Sequence, residues 1–165
     1  MNSEPFNILF VCSGNSCRSP IAEGLLKAKL AADFKDNVVV QSAGTLGING
    51  NPATEYAIHV TDELGGDIEQ HRSQGLTEEL VREADIIFCM APEHEKYIVS
   101  LIPEVRENVF LLRSFARGSE EKFTEKIEDP IGASLEVYQQ CGEFIDEELD
   151  RILPTLKKLI AAKVG

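Results

Sequence analysis

The segment ILFVCSGNSCRSP, residues 8–20, determines the fold predicted for this chain. Its first five residues, Ile8 to Cys12, form a continuous apolar run, which is typical of a strand buried on both faces of a parallel sheet. The residues Ser13 to Ser16 then predict a turn, and Pro20 lies near the first position of a helix that begins at Arg18. A buried strand, a turn and a helix in this order indicate the first unit of an α/β sheet.

The rest of the chain continues this alternation. We predict a second strand at 38–40, ended by Ser42-Ala43-Gly44, further strands at 85–90 and 108–112, and helices at 52–64, 77–80 and 92–101. The last helix has apolar residues at helical spacing from Leu135 to Leu159, and Pro154 should kink it or split it. A long polar segment, 113–129, precedes it. We therefore predict a single domain over residues 1–165, a three-layer α/β sandwich in which helices flank a four-stranded parallel sheet.

The composition limits which partners this domain can have. Its 165 residues include 16 basic and 28 acidic side chains, which gives a formal net charge of −12. A chain this acidic repels nucleic acid and anionic membrane, so any anion must be bound by a small positive site. The amino-terminal residues do not form a signal peptide, and no apolar run approaches the roughly 20 residues of a membrane helix. We therefore expect a cytoplasmic protein.

Four cysteines, Cys12, Cys17, Cys89 and Cys141, are spaced too unevenly for a disulfide framework. They do not form a CxxC pair, and only three scattered histidines accompany them, so a zinc site is not expected either. We expect these thiols to be mostly reduced, as in an intracellular protein.

The turn after the first strand has the features of an anion-binding loop. In an open α/β sheet, ligands bind at the carboxyl ends of the strands, where backbone N–H groups and a helix N-terminus favour a tetrahedral oxyanion such as phosphate. Cys12 would lie at the base of this phosphate loop, and we expect the helix end and Arg18 to lower the pKa of its thiol. The planar guanidinium of Arg18 can contact two phosphate oxygens at once.

Other residues of the loop suit the same task. Ser19 can donate a hydrogen bond to the Cys12 sulfur, and Gly14 and Asn15 are residue types that tolerate left-handed backbone angles. The residues expected to surround a bound phosphate are Ser13, Gly14, Asn15, Ser16, Cys17, Arg18 and Ser19.

The loop sequence CSGNSCRSP resembles the signature of the low-molecular-weight protein tyrosine phosphatase family, and the resemblance extends over nearly the whole chain. It includes Ser42 to Thr45 after the second strand, His71 to Ser73, Leu76-Thr77, Ala84-Asp85, and Asp129-Pro130, which is similar to the family's general-acid loop.

The resemblance implies a mechanism as well as a fold. Cys12 would attack phosphorus and form a phosphocysteine, while Arg18 and the backbone of residues 13–18 hold the phosphate oxygens. Asp129 would protonate the leaving group and then activate water. No metal or other cofactor is implied. The substrate would be a phosphorylated protein, and we expect the enzyme to be a monomer.

Four residues receive supporting roles from the resemblance. Asn15 would hold the loop in its strained shape with the help of Ser42 and His71. Cys17 would form a reversible disulfide with Cys12 under oxidation, which protects the nucleophile from irreversible damage.

Two positions indicate which phosphorylated side chain is the substrate. Tyrosine-specific members carry a bulky apolar residue where this chain has Ser16, and aromatic residues after the Asp-Pro, where it has Ile131. The arrangement is similar to that of bacterial protein-arginine phosphatases, so phosphoarginine is favoured and phosphotyrosine is the alternative. A thioredoxin-coupled arsenate reductase would need two more cysteines on one segment, and no cysteine follows Cys89 closely. A silent phosphate-binding module is disfavoured because Cys12, Arg18 and Asp129 are all present.

The remaining candidates are assigned structural roles. We expect His59 and His94 on helix surfaces, and residues 146–150 with their four acidic side chains as a solvated helix face. Tyr138 and Cys141 lie on the apolar face of the last helix and are expected in the core.

Overall fold

A computed structural model describes residues 4–34, 36–118 and 121–164. Its strands are β1 (Phe6–Cys12), β2 (Val38–Gly44), β3 (Ile86–Cys89) and β4 (Val109–Leu111). Its α-helices are α1 (Arg18–Phe34), α2 (Glu55–Glu63), α3 (Glu78–Glu83), α4 (Pro92–Leu101) and α5 (Leu135–Val164), and a short 3-10 helix covers Pro103–Asn108.

The four strands form one parallel sheet in the order β2-β1-β3-β4, which confirms the predicted sheet. β1 is a central strand, and Cys12 at its end pairs with Gly44 at the end of β2. β2 is therefore longer than predicted: Ser42 and Ala43 continue the strand because they pair with Phe10 and Val11 of β1. This extension brings the Ser-Ala-Gly motif alongside the loop that follows Cys12.

Both faces of the sheet are covered, which confirms the three-layer α/β architecture. Phe6, Ile8 and Phe10 of β1 contribute to a core shared with α1, α2 and α5, whereas Leu9 and Val11 pack into a second core with α3 and α4. Alternate residues of one strand thus enter opposite cores, as the continuous apolar run predicts.

Three helices differ from their predicted bounds, and one of them, α3, covers Glu78–Glu83 instead of 77–80. α2 begins after Pro52, because the Thr54 side chain accepts a hydrogen bond from the Ala57 N–H (3.3 Å) and caps the helix there. α5 continues through Pro154 as one helix, so the predicted split is wrong. An interior proline costs roughly 3 kcal/mol, and burial of apolar side chains on both sides of it, among them Ile152 and Leu156, offsets that cost.

The predicted solvated face of α5 is also wrong at one position. The Glu148 side chain is only 4% exposed. The segment that begins at Arg113 returns over α5, so that Glu148 contacts the guanidinium groups of Arg113, Arg117 and Arg151. Arg151 also donates to the carbonyl oxygen of Leu112 (2.9 Å). The polar segment before α5 is therefore attached to that helix by a buried ion cluster.

Among the described residues, none of the helices combines the length and the hydropathy that a membrane crossing requires.

Candidate active site

Cys12 ends β1 at the centre of the sheet and is 2% exposed. Its Sγ lies 2.9 Å from Ser19 Oγ in the first turn of α1. Ser19 Oγ already accepts a hydrogen bond from the Asn15 side-chain amide (2.9 Å), so its own hydrogen is free to point at the sulfur. The helix start therefore supplies a donor to the Cys12 sulfur.

The pKa of the Cys12 thiol depends on burial, which raises it, and on hydrogen bonds and a nearby positive charge, which lower it. Burial raises the pKa of this thiol, and the Ser19 hydroxyl, the Ser19 backbone N–H and the charge of Arg18 oppose the rise without reversing it. Burial outweighs these contributions, so the expectation of a lowered Cys12 pKa is wrong. The predicted lowering counted the helix end and Arg18 but not the complete burial of the sulfur.

Asn15 holds the loop in shape through its side chain. It has a positive φ of 55°, the left-handed conformation that asparagine tolerates. Its amide group donates to Ser19 Oγ and Ser42 Oγ, both at 2.9 Å, and its Oδ1 accepts from the Gln74 N–H at 2.9 Å. His71 Nε2 donates to the Asn15 carbonyl oxygen at 2.8 Å. Every polar group of the Asn15 side chain is thus paired, and both Ser42 and His71 contact this residue.

Two glycines lie near the Cys12 loop, Gly14 within it and Gly44 at the end of β2. The left-handed conformation expected at Gly14 and Asn15 occurs only at Asn15. Gly44, in contrast, has a close approach that the sequence did not single out: a Cβ there would lie 2.5 Å from the Ser13 carbonyl oxygen. β2 can therefore lie against the loop only with glycine at this position.

Arg18 lies beneath the loop with an unfilled donor. Its side chain is almost fully buried; Nη1 donates to the Ile127 carbonyl oxygen (2.9 Å) and Nη2 to Ser13 Oγ (3.4 Å). Nη2 also lies 3.6 Å from Asp129 Oδ2. Its Nε is buried and has no hydrogen-bond partner among the described residues. An incompletely paired, buried guanidinium in a loop of backbone N–H groups is suited to bind an oxyanion.

Asp129 reaches this site from the polar segment before α5. Its side chain is partly exposed, and its Oδ1 accepts a hydrogen bond from the Ile131 N–H at 3.1 Å. The bond from Arg18 to the Ile127 carbonyl, two residues earlier, fixes the same segment. Cys12, Arg18 and Asp129 are thereby gathered at one end of the sheet, although sequence reasoning alone gave no reason to place Asp129 near the loop.

Cys17 is buried between the loop and α5. Its Sγ lies 3.3 Å from the Tyr138 hydroxyl and 3.6 Å from Thr54 Oγ1. Ser16 is half-buried beside it, and Ile131 is exposed. Tyr138 is in the core as predicted, and so is Cys141; all four cysteines of the chain are free thiols.

His94 contradicts its predicted surface position. It is 1% exposed, and its Nε2 lies 3.0 Å from Ser13 Oγ. α4 follows the carboxyl end of β3, next to β1, so its first turn faces the loop after Cys12. That topology was the signal that could have located His94. Burial and the charge of Arg18 lower the pKa of His94 to about 4. His59, in contrast, is exposed as expected.

The low pKa of His94 predicts acid lability. In the unfolded chain His94 becomes protonated as the pH falls below 6.5, whereas in the folded chain it stays neutral until about pH 4. The free energy of unfolding should therefore decrease as the pH is lowered through this window. The total loss from this group is about 3 kcal/mol. Urea unfolding measured from pH 7 to pH 4 should show a smaller fall for His94→Gln than for the wild type. Equal falls in the two proteins would contradict the assignment.

Comparison with known proteins identifies the family. Residues 7–162 match the model of the family described as low molecular weight phosphotyrosine protein phosphatase. A protein-arginine-phosphatase of Bacillus subtilis is 36% identical over 152 residues, which cover 92% of this chain and 97% of that protein. A probable low molecular weight protein-tyrosine-phosphatase, EpsP of Ralstonia nicotianae, is 37% identical with the same coverage of both chains.

A solved structure agrees with these matches. The YwlE arginine phosphatase from Geobacillus stearothermophilus is similar with a TM-score of 0.82 and 34% identity, and the match covers 93% of this chain and 94% of that one. The chain therefore belongs to the low molecular weight phosphotyrosine protein phosphatase family.

Proposed function

We propose that this protein hydrolyses phosphorylated protein side chains through a phosphocysteine at Cys12, with phosphoarginine as the preferred substrate. The observation that carries the proposal is the loop itself. A buried thiol with a hydroxyl donor from Ser19 lies in the same loop as Arg18, whose buried Nε has no partner. This is the arrangement that a nucleophile and an oxyanion need together.

In the proposed reaction, the Cys12 thiol, whose pKa is raised by burial, gives its proton to an oxygen of the incoming phosphate dianion. The resulting thiolate attacks phosphorus, a sulfur–phosphorus bond forms, and the bond from phosphorus to the leaving nitrogen or oxygen breaks. Arg18 and the backbone N–H groups of residues 13–18 neutralise the charge on the phosphate oxygens. Asp129 gives its proton to the leaving group and then takes one from water, which attacks the phosphocysteine and releases phosphate and the thiolate. Ser19 stabilises the departing sulfur through the 2.9 Å contact.

The preference for phosphoarginine rests on two residues, Ser16 and Ile131, which we propose flank the substrate side chain. Ser16 is small and polar and leaves room for a planar guanidinium, and Ile131 supplies no aromatic face for a phenol ring. The protein-arginine-phosphatase of Bacillus subtilis supports this reading at 36% identity. Phosphotyrosine is the second candidate, because EpsP is equally similar at 37%.

The test compares kcat/KM for a phosphoarginine peptide and a phosphotyrosine peptide of the same flanking sequence. We expect phosphoarginine to be favoured by about tenfold or more, the scale on which a changed pocket contact discriminates substrates. Ser16→Ile fills the space proposed for the guanidinium and should shift the ratio toward phosphotyrosine. A tenfold preference of the wild type for phosphotyrosine would overturn the substrate assignment and leave the mechanism intact.

An arsenate reductase relay is disfavoured by the position of Cys89. Its side chain is buried in β3, and no second cysteine follows it closely to continue a relay. We propose instead that Cys17 is the redox partner of Cys12. An oxidant such as peroxide would convert the Cys12 thiolate to a sulfenic acid, which condenses with the Cys17 thiol to a disulfide and water.

We also propose a cytoplasmic location and a phosphorylated protein as the partner. A free Cys12 thiol needs a reducing compartment, which favours the cytoplasm. The partner is a phosphorylated protein rather than nucleic acid or membrane, in line with the net charge of −12. The proposed site uses residues of a single chain, so a monomer suffices.

A further inference from the structure

A shallow cleft of about 360 Å³ lies beside the phosphate loop and has no part in the proposed chemistry. It is lined by Thr54, Glu55, Tyr56, Gly132, Ala133 and Tyr138. Neither Ser16 nor Asp129 lines it, so it lies next to the phosphoryl site rather than within it. We propose that this cleft binds a positively charged side chain, an arginine or lysine that neighbours the phosphorylated residue in the substrate. The inference rests on the proposed function.

The start of α2 is attached directly to the phosphate loop. The Thr54 N–H donates to the Ser16 carbonyl oxygen at 3.1 Å, and Thr54 Oγ1 lies 3.6 Å from Cys17 Sγ. The Tyr138 hydroxyl contacts both side chains, at 3.2 Å from Thr54 Oγ1 and 3.3 Å from Cys17 Sγ. Residues that follow Thr54 therefore hold a fixed position at the rim of the loop.

Tyr56 presents an aromatic ring at that rim. Its ring packs edge-on against Tyr138, with centroids 5.4 Å apart and an interplanar angle of 74°. The Tyr56 side chain nevertheless stays 45% exposed. A tyrosine held on one side and open on the other offers a surface on which a guanidinium or ammonium group can stack.

Glu55 supplies the charge. It is exposed and has no hydrogen-bond or ion-pair partner among the described residues, although many acidic side chains of this protein are paired. Among the described residues that line the cleft, Glu55 is the one charged side chain. A cation in the cleft would therefore meet an unpaired carboxylate, which attracts a basic substrate segment and disfavours an acidic one.

Glu55 also lies in the first turn of α2, where an acidic side chain stabilises a helix. A helix-stabilising role of Glu55 and a substrate-binding role predict different effects of removing its charge. Loss of a helix-stabilising charge changes the stability of the protein and the rate for every substrate alike. Loss of a cation site changes only the ratio of rates for basic and neutral substrates, so the ratio is the quantity to measure.

The experiment measures kcat/KM for two pairs of peptides, one pair phosphorylated on arginine and one on tyrosine. Within each pair the phosphorylated residue is flanked on both sides either by unmodified arginine or by alanine. We expect the wild type to favour the arginine-flanked peptide about fivefold in both pairs, the scale of an exposed cation–π contact combined with a surface ion pair. Glu55→Gln and Tyr56→Leu should each bring the ratio toward one.

Asp62→Asn is the matched control, because it removes the same charge from the exposed far end of α2 and should keep the wild-type ratio. Equal kcat/KM for the arginine- and alanine-flanked peptides would overturn the subsite and leave the phosphatase proposal standing. An effect of Glu55→Gln that is confined to the phosphoarginine pair would also overturn it, since the cleft would then bind the phosphorylated residue itself. A chain that hydrolyses none of the peptides overturns the proposed function and the subsite with it.

Discussion

Replacing Cys12 by serine should lower kcat by more than about 10³-fold on every phosphorylated substrate, the scale on which removal of a nucleophile acts in other covalent mechanisms. The serine hydroxyl occupies the position of the thiol and keeps its contact with Ser19, but it does not ionise at neutral pH. Arg18 and the backbone N–H groups of the loop are unchanged, so the variant should still bind inorganic phosphate. Steady-state kinetics and phosphate titration measure the two properties separately.

Cys141→Ala is the control for this experiment. Cys141 is also buried, but it lies on α5, and the proposed reaction does not use it. Its variant should retain activity despite the loss of a buried side chain. Rapid quenching of the wild type with substrate should trap one phosphoryl group on Cys12, detectable by mass spectrometry. Substantial turnover by Cys12→Ser, or a phosphoryl group on another residue, would contradict the nucleophile assignment.

The strand, loop and helix around Cys12 could be predicted because their causes are local. A continuous apolar run, polar turn residues and an early proline lie within residues 8–20, and the structure follows them. The cores on both faces of β1 follow from the same run, since a strand with no polar alternation has no face for water.

The partners of that loop could not be predicted in the same way. Asp129 and Ile127 reach Arg18 from a segment with no regular secondary structure, and nothing in its composition shows where it turns. The close approach of Gly44 depends on the register of β2 against β1. Only the family resemblance connected Asp129 with the loop, because it carries information on tertiary contacts that periodicity lacks.

The errors at His94 and Glu148 have a common physical origin. Both are polar residues on helices, and a single sequence shows such residues as solvent-facing. In each case arginines from elsewhere in the chain change the environment: Arg18 acts on His94, and Arg113 and Arg117 contact Glu148 together with Arg151 of the same helix. The pKa of Cys12 was misjudged for a related reason, since helix ends and charges can be read from sequence but the depth of burial cannot.

Glu148→Ala tests the largest of these tertiary effects. Glu148 is buried against Arg113, Arg117 and Arg151, whose side chains are themselves mostly covered. Removing the Glu148 carboxylate leaves Arg113 and Arg151 without their counter-charge and Arg117 with only the exposed Glu121. Breaking a buried ion pair in this way costs about 3–5 kcal/mol. Urea unfolding at pH 7 should show this loss of stability, with a smaller loss for Glu148→Gln, which keeps a hydrogen-bond acceptor.

The neighbouring Glu147 provides the comparison, because it lies on the same helix, carries the same charge and is exposed. Glu147→Ala should change the free energy of unfolding by no more than about 0.5 kcal/mol. Arg113 and Arg117 begin the segment that ends at Asp129, so Glu148→Ala should also lower kcat at temperatures where the variant is still folded. If Glu148→Ala and Glu147→Ala unfold at the same urea concentration with the same slope, the ion cluster does not stabilise the attachment of this segment to α5.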